Sequence, residues 1–210
     1  MYFQYVQGTT FLSVLRQLAA AGPDRPALTY LDRTLTRAEF TDRVERLAAL
    51  FASRGVTEGS TVTIGLPNSI GFVESMFAAW ALGAVPQPIS DRLPALERAA
   101  IVDLAEPALV VGAPPEGPAR PVLEAVPRDL PAGSFTPGVS PEWKLMTSGG
   151  STGRPKLIGA TQPALFEVVG PAGALVCLGI SHPCTTLDKW RLIPVLDEQD
   201  CVIDVVHTFF

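Results

Sequence analysis

The alternation of short apolar segments with longer helical segments constrains the fold of this chain more than any other feature. Val62–Leu66, Ala84–Ile89 and Ala108–Val111 are short, apolar and bounded by turn residues, which predicts buried strands. Helical segments are predicted between them. Strands that alternate with helices of this length favour parallel pairing through right-handed crossovers. The sequence therefore predicts an α/β fold, with a partly parallel sheet flanked by helices.

Local signals predict where the other elements begin and end. Thr36 and Glu39 have the spacing of a capping box, and the apolar residues that follow repeat on one helical face until Gly55. The pattern also predicts a helix over 10–21, a hairpin over 27–36, a helix from Asn68 or Ser69 to Gly83, and a helix from Asp91 with Leu93, Leu96, Ile101 and Leu104 facing inward. Residues 112–140 are rich in Pro and Gly and predict a long surface connection, with one short regular piece near 122–126.

Residues 147–156 hold the chemistry that can be identified in this chain. They contain three glycines, four hydroxyl side chains and two cations in ten residues. Glycines allow successive backbone N–H groups to converge on one point, hydroxyls add donors, and Lys156 adds a compact positive charge. No Gly-Lys-Ser or Gly-Lys-Thr occurs, and Pro155 followed by Lys-Leu-Ile-Gly favours a turn into a strand. We therefore interpret 147–156 as a phosphate-binding loop between two strands, and a Ser/Gly-rich hairpin without a ligand is the alternative.

This loop resembles the signature loop of the acyl-adenylate-forming (AMP-binding) superfamily, which includes acyl- and aryl-CoA ligases and nonribosomal peptide adenylation domains. The form Ser-Gly-Gly-Ser-Thr-Gly followed by Pro-Lys-Leu-Ile is similar to that of aryl-acid-activating and bile-acid-type CoA ligases. The resemblance extends upstream through 27–36, 59–69 and 80–89, and covers roughly residues 9 to 178. It implies that the chain is the first part of the large N-terminal domain of such an enzyme.

The resemblance implies ATP-dependent activation of a small-molecule carboxylic acid as an acyl-adenylate, with transfer to coenzyme A as co-substrate and with Mg2+ as metal. It implies that Lys156 neutralises charge or anchors the loop and that Arg154 is turned to solvent. The residues that it implies to grip the β- and γ-phosphates are Thr147, Ser148, Gly149, Gly150, Ser151, Thr152 and Gly153. The catalytic residues and metal ligands of the family lie beyond residue 210. We therefore expect the 210-residue chain to be incomplete and inactive alone.

Two alternatives stay open at this stage. One is a fragment of a nonribosomal peptide synthetase adenylation domain, and the other is a non-catalytic nucleotide-binding or interaction fragment. No general acid or base is assigned, because the side chains of Glu39, Glu45, Glu74 and Glu97 fall on predicted helix faces and are expected to be solvated.

Residues 181–210 differ in composition from the rest of the chain and lose the resemblance. We expect a domain over 1–180 and an atypical tail over 181–210, which a shifted reading frame or a truncated gene would explain. Cys177, Cys184 and Cys201 do not have zinc-site spacings with the two histidines, so reduced thiols are predicted.

The composition of the whole chain limits the classes of partner that it is expected to bind. Apolar residues make up 47% and charged residues 18%, which is typical of a globular protein. The net charge of −5 gives no electrostatic reason to expect nucleic acid. No apolar run reaches the roughly 18 residues of a transmembrane helix, and the N-terminus lacks a signal-peptide pattern, so the cytoplasm is expected. Exposed sheet edges would favour oligomers or aggregation.

Overall fold

A computed structural model describes residues 10–112, 120–148, 156–161, 165–169, 175–179, 192–196 and 202–207. The chain divides into two compact units, Met1–Thr161 and Gln162–Phe210. The described helices of the first unit are α1 (Phe11–Ala21), α2 (Arg37–Ser53), α3 (Ile70–Ala81) and α4 (Ala95–Ala105). Its described strands are β1 (Pro26–Tyr30), β2 (Arg33–Thr36), β3 (Thr61–Gly65), β4 (Val85–Pro88), β5 (Leu109–Gly112), β6 (Val122–Leu123), β7 (Glu142–Ser148) and β8 (Lys156–Thr161).

The described part of the second unit consists of two antiparallel strand pairs. One pair is β9 (Leu165–Val169) with β10 (Leu175–Gly179), and the other is β11 (Leu192–Leu196) with β12 (Val202–His207). Cys177 lies in β10, whereas Cys184 and Cys201 lie outside the described residues. The predicted boundary near residue 180 is not tested by these strands and stays a prediction.

A four-stranded parallel sheet forms the centre of the first unit, in the order β4-β3-β5-β6. Val62 of β3 lies opposite Pro86 of β4 and Leu109 of β5. Helices follow β3 and β4, as the alternation of segments required. The predicted α/β fold, with a parallel sheet flanked by helices, is confirmed.

The core lies between this sheet and the helices α2 and α3, which pack against each other. The apolar residues of α2 recur at spacings of three and four, so they share one face and are buried together. The largest buried apolar side chains of the core cluster are Phe40, Leu47, Phe51, Ile64 and Leu109. Burial of this apolar face contributes more to the stability of the helix than its intrinsic propensity does.

Two helix starts follow the local signals. The Thr36 hydroxyl accepts the backbone N–H of Glu39, and the Glu39 carboxylate accepts the backbone N–H of Thr36 at 2.8 Å. The Ser69 hydroxyl accepts the N–H of Phe72, so Ser69 rather than Asn68 caps α3. Both helices therefore start at polar caps that satisfy backbone donors which would otherwise lack partners.

The structure corrects the prediction for α4. This helix begins at Ala95 rather than near Asp91, after Pro94, which makes no side-chain cap. Leu96 is 79% exposed and Leu104 is 48% exposed, whereas the adjacent Ile101 and Val102 are buried. Because α4 covers only a narrow strip of the sheet, its buried face is narrower than the apolar pattern indicated.

The described part of the connection over 112–140 is also more buried than predicted, because Leu123 and Leu130 are both buried. Strand β6 lies within the region where a short regular piece was expected. Three arginines of α2 or its C-terminal cap donate to backbone carbonyl oxygens of this connection: Arg43 to Pro127 and Arg128, Arg46 to Leu130, and Arg54 to Val122. These hydrogen bonds hold the described part of the connection against α2.

Candidate functional site

The predicted phosphate-binding loop connects two paired strands. β7 and β8 form an antiparallel hairpin in which Ser148 lies opposite Lys156 and Thr147 lies opposite Leu157. Residues 149–155, which join them, lie outside the described residues. The strand predicted after Pro155 is present and begins at Lys156, whereas the predicted turn at Pro155 lies outside the described residues.

The structure describes three of the eight predicted site residues. Thr147 and Ser148 end β7, and Lys156 begins β8 with its side chain exposed. The other five lie outside the described residues: Gly149, Gly150, Ser151, Thr152 and Gly153.

The hydroxyl of Thr147 is buried and has no hydrogen-bond partner among the residues that the structure describes. Buried polar groups are normally paired. Thr147 lies one residue before β7 ends, next to the part of the loop outside the described residues. Its role as a phosphate-binding residue stays a prediction.

A buried lysine, which was not predicted from the sequence, lies on the strand that leads into the loop. Lys144 is 6% exposed, with its Nζ 5.1 Å from the centroid of the Trp143 ring. Burial lowers the pKa of Lys144, and no hydrogen bond or ion pair offsets that effect among the described residues. Lysines are rarely buried without a partner, so this residue carries a stability cost.

A second charged group lies elsewhere, where the sequence predicted a solvated side chain. Glu74 is 1% exposed and binds Arg43 in a bidentate pair, with Nε–Oε1 at 2.5 Å and Nη2–Oε2 at 3.1 Å. The hydrogen bond to Glu74 raises the pKa of Arg43 against the opposing effect of burial. The prediction of a solvated Glu74 is wrong, because a tertiary partner 31 residues away pairs with it.

This pair forms the floor of an open polar cavity of about 680 Å³ between the β1–β2 hairpin, α2 and α3. A smaller apolar cavity of about 280 Å³ lies among α1, α2 and α3. Thr147, Ser148 and Lys156, the predicted site residues that the structure describes, line neither cavity. Both cavities are therefore separate from the β7–β8 hairpin.

No group of three or more His, Cys, Asp or Glu residues that could hold a metal ion occurs in the described part of the chain. The described residues therefore do not provide a protein ligand set for the Mg2+ that the resemblance implies.

Comparison with known proteins gives three kinds of match. The sequence pattern of the AMP-binding enzyme family matches residues 15–140. Among curated relatives, Pyochelin synthetase PchE of Pseudomonas aeruginosa is 30% identical over 192 residues, 89% of this chain. Pyochelin synthase PchD of the same organism is 41% identical over 80 residues, and the 2,3-dihydroxybenzoate-AMP ligase of Bacillus subtilis is 39% identical over 79; each match covers 38% of this chain. The matches span only 13–15% of the length of these three relatives.

Solved structures match the fold. O-succinylbenzoate coenzyme A synthetase (MenE) from Bacillus subtilis, in complex with AMP, superimposes with a TM-score of 0.61 at 23% identity, over 73% of this chain and 42% of that one. The fused adenylation–PCP di-domain NpsA-ThdA from Klebsiella oxytoca gives 0.65 at 22% identity, over 74% and 33% of the two chains.

The parallel sheet and its helices match the fold of the N-terminal domain of adenylate-forming enzymes. The chain belongs to the AMP-binding enzyme family. Among the described residues, no helix is long and apolar enough to cross a membrane.

Proposed function

We propose that this chain carries the triphosphate-binding loop of an enzyme that activates a carboxylic acid with ATP. In that reaction a carboxylate oxygen forms a bond to the α-phosphorus of ATP. The bond between the α-phosphorus and the bridging oxygen to the β-phosphate breaks, and pyrophosphate leaves with the electron pair. The product is an acyl-adenylate, whose acyl group then passes to a thiol.

The observation that carries the proposal is the loop over 147–156 at the closed end of the β7–β8 hairpin. The ends of the loop are paired with each other, because Ser148 lies opposite Lys156 in the β7–β8 ladder. The unpaired Thr147 hydroxyl and the exposed Lys156 supply a donor and a positive charge on either side of the loop.

The roles follow from the chemistry of these groups. Two anions must meet while charge accumulates on the departing pyrophosphate, and positioned donors stabilise that charge. Amides of Gly149, Gly150 and Gly153 and hydroxyls of Thr147, Ser148, Ser151 and Thr152 are assigned to the β- and γ-phosphates. Lys156 neutralises part of their charge.

The acid and the thiol acceptor are narrower proposals. An aromatic acid is supported by the match to a 2,3-dihydroxybenzoate-AMP ligase and by the form of the loop. For the acceptor, coenzyme A is supported by the fold match to a coenzyme A synthetase, and a carrier protein by the match to an adenylation–PCP di-domain. The two acceptors are distinguished by adding each to an adenylation assay and measuring thioester formation.

Ligand-dependent melting of the 210-residue chain tests the proposal. A ligand at a hundredfold its Kd stabilises by about 2.7 kcal/mol, which corresponds to roughly 5–10 °C in a domain of this size. We expect ATP and inorganic tripolyphosphate each to raise Tm, with tripolyphosphate sufficient because the loop contacts phosphates. If neither ATP nor tripolyphosphate raises Tm, the proposal is contradicted.

Exchange of pyrophosphate into ATP then addresses the chemistry. Exchange that depends on benzoate, 3-hydroxybenzoate or 2,3-dihydroxybenzoate would support adenylation by this chain. Stabilisation by ATP without exchange with any acid would support a nucleotide-binding part whose catalytic residues lie elsewhere.

A further inference from the structure

The β7–β8 hairpin is not joined to the central sheet by a strand ladder. β7 and β8 form their own two-stranded sheet, while β4 ends the four-stranded one. β7 nevertheless lies close to β4. An isolated two-stranded hairpin is only marginally stable in water, so other contacts must fix this one against the core.

One such contact joins α3 to the start of β7. The indole Nε1 of Trp80 donates a hydrogen bond of 2.7 Å to the backbone carbonyl oxygen of Trp143. The two indole rings stack, with centroids 6.2 Å apart and planes 21° apart. Trp80 is itself held by Phe11 at 4.3 Å and by Phe77 at 5.2 Å between centroids. The donor therefore comes from a side chain that is fixed in the core.

A second contact lies just after α3. The Gly138 N–H donates to the Ala81 carbonyl oxygen at 3.1 Å, and Gly138 forms an isolated parallel bridge with Leu82. Gly83 has φ 71°, and a Cβ added there would lie 2.7 Å from the backbone nitrogen of Val139. The backbone that leads into β7 thus approaches the end of α3 at a distance that only glycine allows.

These two contacts hold β7 at its N-terminal end. From Trp143 to Ser148 the strand extends about 16 Å at the usual rise per residue, so a tilt at the anchor displaces the loop at the other end. We infer that Trp80 and Gly83 are positioning residues for the phosphate-binding loop: they fix the hairpin against the core and so set where the loop presents its donors. This inference rests on the proposed function.

The chain offers a matched pair of variants for the first contact. Trp80→Phe keeps an aromatic ring but removes a donor that has an acceptor. Trp143→Phe makes the same change in the other ring of the stack. The indole Nε1 of Trp143 is buried without a partner among the described residues, so this variant loses no hydrogen bond. We expect Trp80→Phe to raise the Kd for ATP and for tripolyphosphate roughly two- to tenfold, the range of one hydrogen bond. Trp143→Phe should stay within about twofold of wild type.

A second matched pair tests the close approach. Gly83→Ala and Gly55→Ala both place alanine at a positive φ, but a Cβ at Gly55 meets nothing within 4 Å. Backbone strain is therefore similar in the two variants, and only Gly83→Ala pushes the chain before β7 away from α3. We expect Gly83→Ala to weaken ATP binding and Gly55→Ala to lower Tm without changing Kd.

Measuring Tm and Kd together separates positioning from general stability, because a purely structural role would lower Tm and leave the Kd of the folded fraction unchanged. The inference is overturned if Trp80→Phe and Trp143→Phe have the same Kd for tripolyphosphate and if Gly83→Ala and Gly55→Ala also have the same Kd. The proposed function would then still stand. Should Gly83→Ala not fold, the tryptophan pair alone decides. Absence of binding by the wild-type chain would refute the proposed function itself.

Discussion

Replacing Arg43 with methionine should destabilise the protein far more than the same change at Arg46, although both arginines lie on α2 and both pair with a carboxylate. The side chain of Glu74, the partner of Arg43, is 1% exposed. Arg46 instead pairs with Asp42 at 2.7 Å, and both side chains are largely in solvent. Each arginine also donates to carbonyl oxygens of the 120–130 connection. Burial of the carboxylate is therefore the main difference between the two sites.

The expected sizes follow from that difference. Removing one partner of a buried pair leaves an uncompensated charge and costs about 3–5 kcal/mol, whereas an exposed pair contributes about 0–1 kcal/mol. For a protein of this size, the loss at Arg43 corresponds to a fall in Tm of roughly 6–20 °C. The double variant Arg43→Met with Glu74→Met removes both charges, so it should recover at least about 2 kcal/mol relative to Arg43→Met alone.

Urea unfolding monitored by tryptophan fluorescence provides the assay, since Trp80 and Trp143 lie in the same unit. The free energies of unfolding of wild type, the two single variants and the double variant are compared. If Arg43→Met lies within about 1 kcal/mol of Arg46→Met, or if the double variant is less stable than Arg43→Met, the account of the buried pair is refuted.

Three further predictions concern stability. Lys144→Met should stabilise the protein by about 1 kcal/mol at pH 7, because burial lowers the pKa of Lys144. Wild type gains stability as pH rises from the folded-state pKa toward the ordinary lysine pKa, so the advantage of methionine should shrink as pH rises from 7 toward 10. A difference in unfolding free energy that stays constant with pH would contradict this. Thr36→Ala should lower the free energy of unfolding in urea by about 1 kcal/mol, because the backbone N–H of Glu39 loses its acceptor. A loss below about 0.3 kcal/mol would argue against the cap. The Thr63 hydroxyl donates to the Gln87 amide oxygen, while the Gln87 Nε2 is buried without a partner among the described residues. The double variant Thr63→Val with Gln87→Leu should therefore leave Tm unchanged or raise it. A clear fall in Tm would show that the amide nitrogen has a partner.

Elements set by local signals could be predicted from the sequence. Thr36 and Glu39 lie three residues apart, and the cap that they form depends on nothing outside that turn. The three sheet strands are apolar segments between turn residues, and the structure places each within one or two residues of the prediction. The hairpin around the loop was predicted in the same way, from Pro155 and the strand-like residues after it.

Features that depend on a distant partner could not be predicted. Glu74 falls on a helix face and becomes buried only because Arg43, 31 residues earlier, reaches it. The contact between Trp80 and Trp143 joins residues 63 positions apart. Lys144 gave no local sign of burial, because a charged residue in a short apolar run fits an exposed strand position equally well. The inward orientation predicted for Leu96 and Leu104 failed for a related reason, since periodicity cannot indicate how much of a helix the sheet covers.

The dissociation constant of ATP for wild type, Lys156→Gln and Arg154→Gln tests the central claim most directly, because the two variants remove the same charge two residues apart. We assign Lys156 to the phosphates and Arg154 to solvent, so Lys156→Gln should weaken binding at least about tenfold while Arg154→Gln stays within about twofold. Equal losses in both variants would indicate attraction by net charge alone and would contradict a loop shaped around the triphosphate.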